Sequence, residues 1–179
     1  MSDDDAILRP CTPADVPAVQ AIYAQAVREG TASFELDPPD LAEMLRRHAG
    51  LIGAGHPYLV ADLGGRVAGY AYAGPYRARP AYRASVENSV YVAPAAQGRG
   101  LGRRLLAALI DEAALRGFRQ MIAVIGDSGN AASIGLHAAL GFRHAGVLRA
   151  VGWKHGRWLD TVLMQRPLGS GDAAPPGPS

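Results

Sequence analysis

The stretch QGRGLG, residues Gln97 to Gly102, carries glycine at every second position and decides how the chain around it folds. It follows the apolar run SVYVAP, which is typical of a strand, and precedes RRLLAALIDEAALRG, whose apolar residues recur as on one side of a helix. These apolar residues are Leu101, Leu105, Leu106, Leu109, Ile110 and Ala113. The stretch therefore predicts a strand, a glycine turn and an amphipathic helix, with turn backbone that closely approaches another group.

Three kinds of phosphate-binding motif could explain this glycine turn. A mononucleotide P-loop needs a Gly-Lys-Ser/Thr ending, which is absent. The dinucleotide motif needs G-x-G-x-x-G in an opening βαβ unit, whereas here G-x-G-x-G comes late and follows a predicted antiparallel hairpin. The third device is a helix N-terminus that presents N–H groups to a pyrophosphate, with Arg99, Arg103 and Arg104 adding positive charge. A turn that needs glycine only for positive φ stays open as the alternative.

Composition limits the class of protein. The 179 residues suit one domain, with 49% apolar and 19% charged residues and a net charge of +2 spread along the chain. The sequence contains no basic block with interleaved aromatic residues, so we do not expect a nucleic-acid partner. It also contains no apolar run long enough to predict a membrane span. The start MSDDDAILRP is acidic and does not show the charged-then-apolar pattern of a signal segment, so we expect a cytoplasmic protein. The single cysteine, Cys11, excludes an internal disulfide and a cysteine-built zinc site, and we expect no metal.

The predicted elements follow in the order strand, two helices, three strands, helix, strand, helix and two strands. The first helix begins at Thr12, with Pro13 at its first position, and the second spans about Pro39 to Ile52. Hairpin turns are predicted at Gly64-Gly65 and at His155-Gly156. This order predicts a mixed α/β domain, mostly antiparallel, over residues 1–168, and a disordered Gly/Pro/Ser-rich tail over residues 169–179.

Five motifs, taken in order, give a resemblance to a known family. They are GPYRARPAY, VENSVYV, QGRGLG, NAASIGLHAALGF and GWKHGRWLD. With them the chain from Ile7 to Leu168 resembles the GNAT superfamily of acetyl-CoA-dependent N-acetyltransferases, and within it the group that acetylates phosphinothricin, methionine sulfoximine or methionine sulfone. The resemblance implies an α/β (α+β) fold with a mostly antiparallel central sheet of about six to seven strands and about four helices. It also implies acetyl-CoA as cosubstrate, direct transfer to a small amine, and a homodimer.

The resemblance also implies a set of cofactor-binding residues. N–H groups of the glycine turn would cradle the pyrophosphate of acetyl-CoA, and backbone of the preceding strand would pair with its pantetheine arm and polarise the thioester. The residues expected in these two roles are Gly98, Arg99, Gly100, Leu101, Gly102, Arg103, Val90, Tyr91 and Val92. Asn130 and Ser133 match positions near the pantetheine arm, although Asn130 also sits where a helix cap belongs.

Glu87 and His137 are the catalytic candidates. Period-two alternation along the predicted strand puts Ser85, Glu87, Ser89 and Tyr91 on one face and Val86, Asn88, Val90 and Val92 on the other. Glu87 stands in an otherwise apolar and hydroxylated strand, where a carboxylate is costly unless it is paired or functional, so it is the candidate general base. The alternative is an ion pair to Arg77, Arg79 or Arg83. The role of His137 is less defined, because it could act as an acid, as a base or as a structural residue.

The acceptor candidates come from the same resemblance. Arg77 and Arg79 match positions that face anionic groups of the acceptor, although solvation at the surface would explain them equally. Phe34 and Tyr82 could form walls of the acceptor pocket, although either could equally be a core residue, and Val86 and Asn88 are the remaining candidates. Another amine, such as a different amino acid, a polyamine or a protein N-terminus, stays open as acceptor, and so does an acetyl-CoA-binding module without turnover. We interpret the last motif, with Trp153, Lys154, Trp158 and Asp160, as hairpin architecture or a dimer contact.

Overall fold

The computed structural model describes residues 6–177, so the acidic start at residues 1–5 and the last two residues of the predicted tail lie outside it. Seven strands and four helices follow the predicted order. The strands are β1 (Ile7–Pro10), β2 (Tyr58–Leu63), β3 (Arg66–Pro75), β4 (Ser85–Val92), β5 (Gln120–Gly126), β6 (Arg143–Lys154) and β7 (Arg157–Pro167). The helices are α1 (Val16–Glu29), α2 (Leu41–Gly53), α3 (Leu101–Leu115) and α4 (Ala131–Ala139).

The strands form one sheet in the order β1-β2-β3-β4-β5-β7-β6. Every neighbouring pair is antiparallel except β4 and β5, which run parallel. The predicted mixed, mostly antiparallel fold is therefore confirmed. One boundary differs, because the chain after Thr12 first forms a 3₁₀ turn over Pro13–Asp15 and α1 begins only at Val16. There the Thr12 N–H and hydroxyl both donate to the Asp15 carboxylate at 2.8 Å.

Helices cover both faces of the sheet. Helix α3 packs on one face through the apolar residues that the helical periodicity predicted. Among them, Leu105, Leu106 and Leu109 have no exposed surface. Helices α1 and α2 cover the other face, where Val19 and Tyr70 belong to a second apolar cluster. Cys11 lies in this second cluster, and burial raises the pKa of its thiol to about 12. Cys11 is therefore a protonated, apolar packing residue at neutral pH.

The parallel pair β4 and β5 is short. Their register runs only from Ser85 opposite Gln120 to Glu87 opposite Ile122. Beyond Glu87, β4 continues against β3, while β5 continues against β7. The two strands therefore part in the middle of the sheet, and the helices α3 and α4 begin beside the opening.

The described residues also bear on the ends and the surface of the domain. Within residues 6–177, no helix is long and apolar enough to cross a membrane, and no His, Cys, Asp or Glu side chains cluster as metal ligands would. After Leu168 the chain forms turns, with the Gly171 N–H donating to the Leu168 carbonyl at 2.8 Å. The domain limits at residue 168 and the disorder of the tail stay predictions.

Candidate active site

A cleft of about 1260 Å³ opens where β4 and β5 part. Most of its walls come from five segments that are distant in sequence: the end of α1 with the segment after it, β4, the glycine turn, the end of β5, and the start of α4. Predicted site residues that line it are Phe34, Glu87, Asn88, Val90, Tyr91, Val92, Gly98, Gly100, Leu101, Gly102, Arg103, Asn130, Ser133 and His137. Residues predicted separately for cofactor, chemistry and acceptor therefore share one cleft.

The glycine turn combines a backbone conformation that favours glycine with a helix N-terminus that faces the cleft. Gly98 and Gly100 have φ of 78° and 74°, a region that disfavours residues with a Cβ, and a Cβ at either position would meet nothing within 4 Å. Gly100 is the N-cap of α3, and no side chain caps that helix end. The positive end of α3 and its first N–H groups therefore face the cleft and fit an anion. Arg104 turns away from this anion site and donates to the Ala6 carbonyl at 2.6 Å.

The edge of β4 that faces the opening suits an extended ligand. Val90, Tyr91 and Val92 pair with β3 on one side only. Across the opening, Asn130 begins α4, and its side-chain oxygen accepts a hydrogen bond from the Ser133 N–H at 3.1 Å. The capping role considered for Asn130 is therefore present. The structure brings Asn130 and Ser133 to the cleft beside the open strand edge.

Glu87 lies at the junction of two cavities. It lines the cleft and also a second cavity of about 460 Å³ beneath α2. Within residues 6–177 no arginine forms an ion pair with it, so the alternative partners Arg77, Arg79 and Arg83 do not neutralise it. Burial raises the pKa of this carboxyl above its ordinary value of 4.5. A partly desolvated carboxylate without a counter-charge is suited to accept a proton.

Three residues that line the same cavities as Glu87 were not predicted as site residues from the sequence. Both cavities are also lined by Tyr23, Tyr72 and Ser89. Ser89 follows Glu87 by two positions on β4, so the alternation of the strand already indicated that it shares the face of Glu87. Tyr72 lies opposite Ser89 on β3, and only the register between the strands brings it there.

His137 is buried on the other face of β4. Its Nε2 lies 2.9 Å from Asn88 Oδ1, its Nδ1 lies 2.8 Å from the Ser133 carbonyl oxygen, and its ring meets Phe142 edge to face. The Asn88 amide in turn donates to the Ile122 carbonyl at 3.2 Å, which orients Oδ1 toward the ring. A neutral imidazole carries a single N–H, so it can donate to only one of its two acceptors. Each ring nitrogen lies next to a protein oxygen atom. Burial lowers the pKa of the imidazole.

Four predicted acceptor residues lie outside the cleft. Arg77, Arg79 and Tyr82 belong to the exposed segment between β3 and β4. The Arg77 guanidinium lies over the rings of Tyr76 and Tyr82, 5.3 and 5.9 Å from their centres. Val86 has no exposed surface and packs in the apolar cluster beneath α3. Asn88 reaches the cleft wall, but its side chain is committed to His137 and Ile122. Acceptor binding by these residues stays a prediction.

Replacing Asn88 by aspartate tests the environment of His137. We expect Asn88→Asp to raise the pKa of the imidazole above its ordinary value of 6.5, because a carboxylate at the position 2.9 Å from Nε2 favours the imidazolium. In the wild type, burial keeps this pKa below 6.5. An NMR titration of the ring C–H signals measures both values. Asn130→Asp is the control, since the Asn130 side chain faces the Ser133 N–H, and equal pKa values in both variants would contradict the assignment.

The chain is similar to known proteins in sequence over most of its length. The model of the acetyltransferase (GNAT) family matches residues 19–142. Phosphinothricin N-acetyltransferase of Alcaligenes faecalis is 59% identical over 162 residues, which cover 90% of this chain and 82% of the relative. L-methionine sulfoximine/L-methionine sulfone acetyltransferase of Pseudomonas aeruginosa is 45% identical over 171 residues, covering 95% and 99%.

A solved structure extends the likeness to three dimensions. The GNAT superfamily phosphinothricin acetyltransferase from Sinorhizobium meliloti, in complex with AcCoA, superposes with a TM-score of 0.93 at 49% identity. The match covers 96% of this chain and 93% of that one. By its family match, its relatives and its fold, the chain belongs to the acetyltransferase (GNAT) family.

Proposed function

We propose that the chain transfers the acetyl group of acetyl-CoA directly to the amino group of a small amino acid analogue of the phosphinothricin, methionine sulfoximine and methionine sulfone type. The observation that carries the proposal is Glu87, a partly desolvated carboxylate without a counter-charge, beside a cleft that begins at an uncapped helix end. The names of the relatives from Alcaligenes and Pseudomonas support the acceptor class. A cytoplasmic location is part of the same proposal.

The cofactor's charge and shape fit the residues of the cleft. The pyrophosphate is an anion, and the N–H groups at residues 98–103 with the positive end of α3 supply its donors without a Cβ at Gly98 or Gly100. The pantetheine amides would pair with the free edge of Val90 to Val92, as a further strand does. Asn130 and Ser133 would hold the arm from the side of α4. An N–H of β4 would polarise the thioester carbonyl.

Glu87 supplies the proton transfer that this reaction needs. An amine is protonated at neutral pH, so Glu87 takes a proton from the ammonium, and the freed nitrogen forms the N–C bond while the C–S bond breaks. The nitrogen would lose a second proton as the amide forms, and the departing thiolate would take up one proton, so the products are the amide, the thiol of coenzyme A and one proton held by Glu87. No acyl-enzyme is involved, since Cys11 lies in the apolar cluster with α1 and α2 and has a raised pKa.

The acceptor would lie where the two cavities adjoin. Tyr72 lines both cavities, as Glu87 does, and Phe34 lines the cleft. Arg77 and Arg79 are the proposed partners of its anionic groups, through movement of their exposed segment or from the second subunit of a dimer. A larger amine than the proposed analogues would use more of the cavity beneath α2.

A panel of acceptors tests the proposed function. We expect acetyl-CoA-dependent thiol release with phosphinothricin, methionine sulfoximine and methionine sulfone, and little with common amino acids or spermidine. Turnover of another amine alone would overturn the acceptor class. Binding of acetyl-CoA without turnover of any amine would leave a binding module.

Glu87→Gln tests the base. We expect kcat to fall by about 10² to 10⁴, because the amide cannot accept the proton, while acetyl-CoA still binds. Wild-type activity should rise with pH through the pKa of Glu87, above 4.5, because only the ionised carboxylate is a base. Glu112→Gln, on the surface of α3, is the matched control and should keep wild-type rates. Equal rates for the two variants would exclude Glu87 as the base.

Gly100→Ala tests the anion site. At φ of 74° an added methyl group costs about 1 to 2 kcal/mol, so the turn shifts and its N–H groups lose their alignment. We expect the KM for acetyl-CoA to rise about tenfold. Gly65→Ala is matched, since Gly65 has φ of 87° and nothing within 4 Å of a Cβ, but it lies in the β2–β3 turn away from the cleft. A similar rise in KM for Gly65→Ala would mean that the effect is general destabilisation.

A homodimer is the proposed assembly. Trp153 and Trp158 form a cross-strand pair on the β6–β7 hairpin, with rings 5.2 Å apart, and they remain 55% and 61% exposed. Exposed aromatic pairs of this kind are typical of protein interfaces. Sedimentation at micromolar concentration should give a dimer for the wild type and a monomer for Trp158→Ser. Leu115→Ser, which replaces an isolated leucine that is 82% exposed on α3, should leave the dimer intact. A monomeric wild type would overturn the assembly.

A further inference from the structure

Phe34 lies in the segment between α1 and α2, and its ring lies against two glycines from distant strands, Gly126 and Gly152. We propose that Gly152 on β6 and Gly126 at the end of β5 are positioning residues for Phe34, and that the β6–β7 hairpin thereby sets which acceptors fit. This inference rests on the proposed function, because it assigns Phe34 to the acceptor end of the cleft. The ring lines the cleft and is 37% exposed there.

The two glycines leave the space that the Phe34 ring occupies. A Cβ on Gly152 would lie 2.6 Å from Phe34 Cδ2, with only Phe34 ring atoms close to it. A Cβ on Gly126 would meet the Thr31 carbonyl oxygen first and would lie 2.9 Å from Phe34 Cε1. Real Cβ atoms do not approach other atoms this closely. Neither glycine has a positive φ, so Gly152 is required to leave room for the ring, and Gly126 to leave room for the ring and for the backbone of the same segment.

The hairpin also holds the backbone of the segment that carries Phe34. The Lys154 ammonium is buried and donates to the Ser33 carbonyl at 2.7 Å. At the hairpin turn, His155 Nε2 lies 3.2 Å from the Gly30 carbonyl oxygen. Both contacts follow Gly152 along the hairpin, and both reach backbone that precedes Phe34 in the segment. The segment 30–33 is therefore held at two backbone points next to the ring that Gly152 contacts.

A bulge in β6 belongs to the same arrangement. The register between β6 and β7 shifts between Leu148 and Gly152, and Ala150 has φ of 51°. Asp160 on β7 stabilises this bulge, because its carboxylate accepts from the Ala150 N–H and from the Arg149 guanidinium, each at 2.9 Å. Bulges change the direction in which a strand presents its residues. The surface of β6 that meets Phe34 is therefore set by tertiary contacts at the bulge.

Kinetics of two glycine variants on the same strand test the proposal. Gly152→Ala should displace the Phe34 ring and lower kcat/KM for the acceptor about tenfold or more, mainly through KM, with the KM for acetyl-CoA unchanged. Gly146→Ala is the matched control, since Gly146 is also on β6 and a Cβ there would meet nothing within 4 Å. Equal acceptor KM values in the two variants would overturn the proposal, and so would an equal rise for acetyl-CoA in Gly152→Ala.

A double-mutant cycle with Phe34→Ala keeps the proposal testable whatever the activity. Gly152→Ala should lower the Tm of the otherwise wild-type chain, and the same change should have little effect in Phe34→Ala, where the ring is gone. If Gly152→Ala alone does not fold, the double variant should fold. Additive Tm changes, or a double variant that also fails to fold, would overturn the contact. A wild type that turns over no amine would refute the proposed function, whereas this cycle would still decide the positioning role.

Discussion

The rest of the site depends on the point at which β4 and β5 stop pairing. Strands stay together because each backbone N–H and C=O finds a partner in its neighbour, and after Glu87 that partnership ends between these two strands. The Asn88 amide makes the next link, to the Ile122 carbonyl, through its side chain. Beyond it, the edge of β4 faces a cleft that offers backbone groups to a ligand in place of a strand.

Burial acts in opposite directions on the two titratable groups beside this point. It raises the pKa of Glu87 and lowers that of His137, because in each case the low-dielectric surroundings favour the neutral form. The surroundings otherwise differ. Glu87 faces two cavities without a counter-charge, whereas His137 lies on the opposite face with both ring nitrogens next to protein oxygens. Adjacent residues on β4 therefore place a partly desolvated carboxyl on one face and the connection to α4 on the other.

Glycines serve two different physical purposes in the site. Gly98 and Gly100 allow a backbone conformation that other residues disfavour, and this leaves the N-terminus of α3 accessible. Gly126 and Gly152 have ordinary conformations and leave room for an aromatic ring. The first kind is visible in a sequence as a cluster beside a helix start. The second kind becomes visible only when the partner ring is known.

The sequence by itself determined the element order, the turn before α3, the alternation that separates Glu87 from Asn88, and the cap at Asn130. These features follow from backbone preferences and periodicities that act over a few residues. Only the tertiary structure decided that Tyr72 joins Glu87, that Arg77 lies outside the cleft, and that His137 and Lys154 bond to residues 49 and 121 positions away. Such contacts depend on strand pairing and helix packing across the whole chain, and no local pattern of residues encodes them.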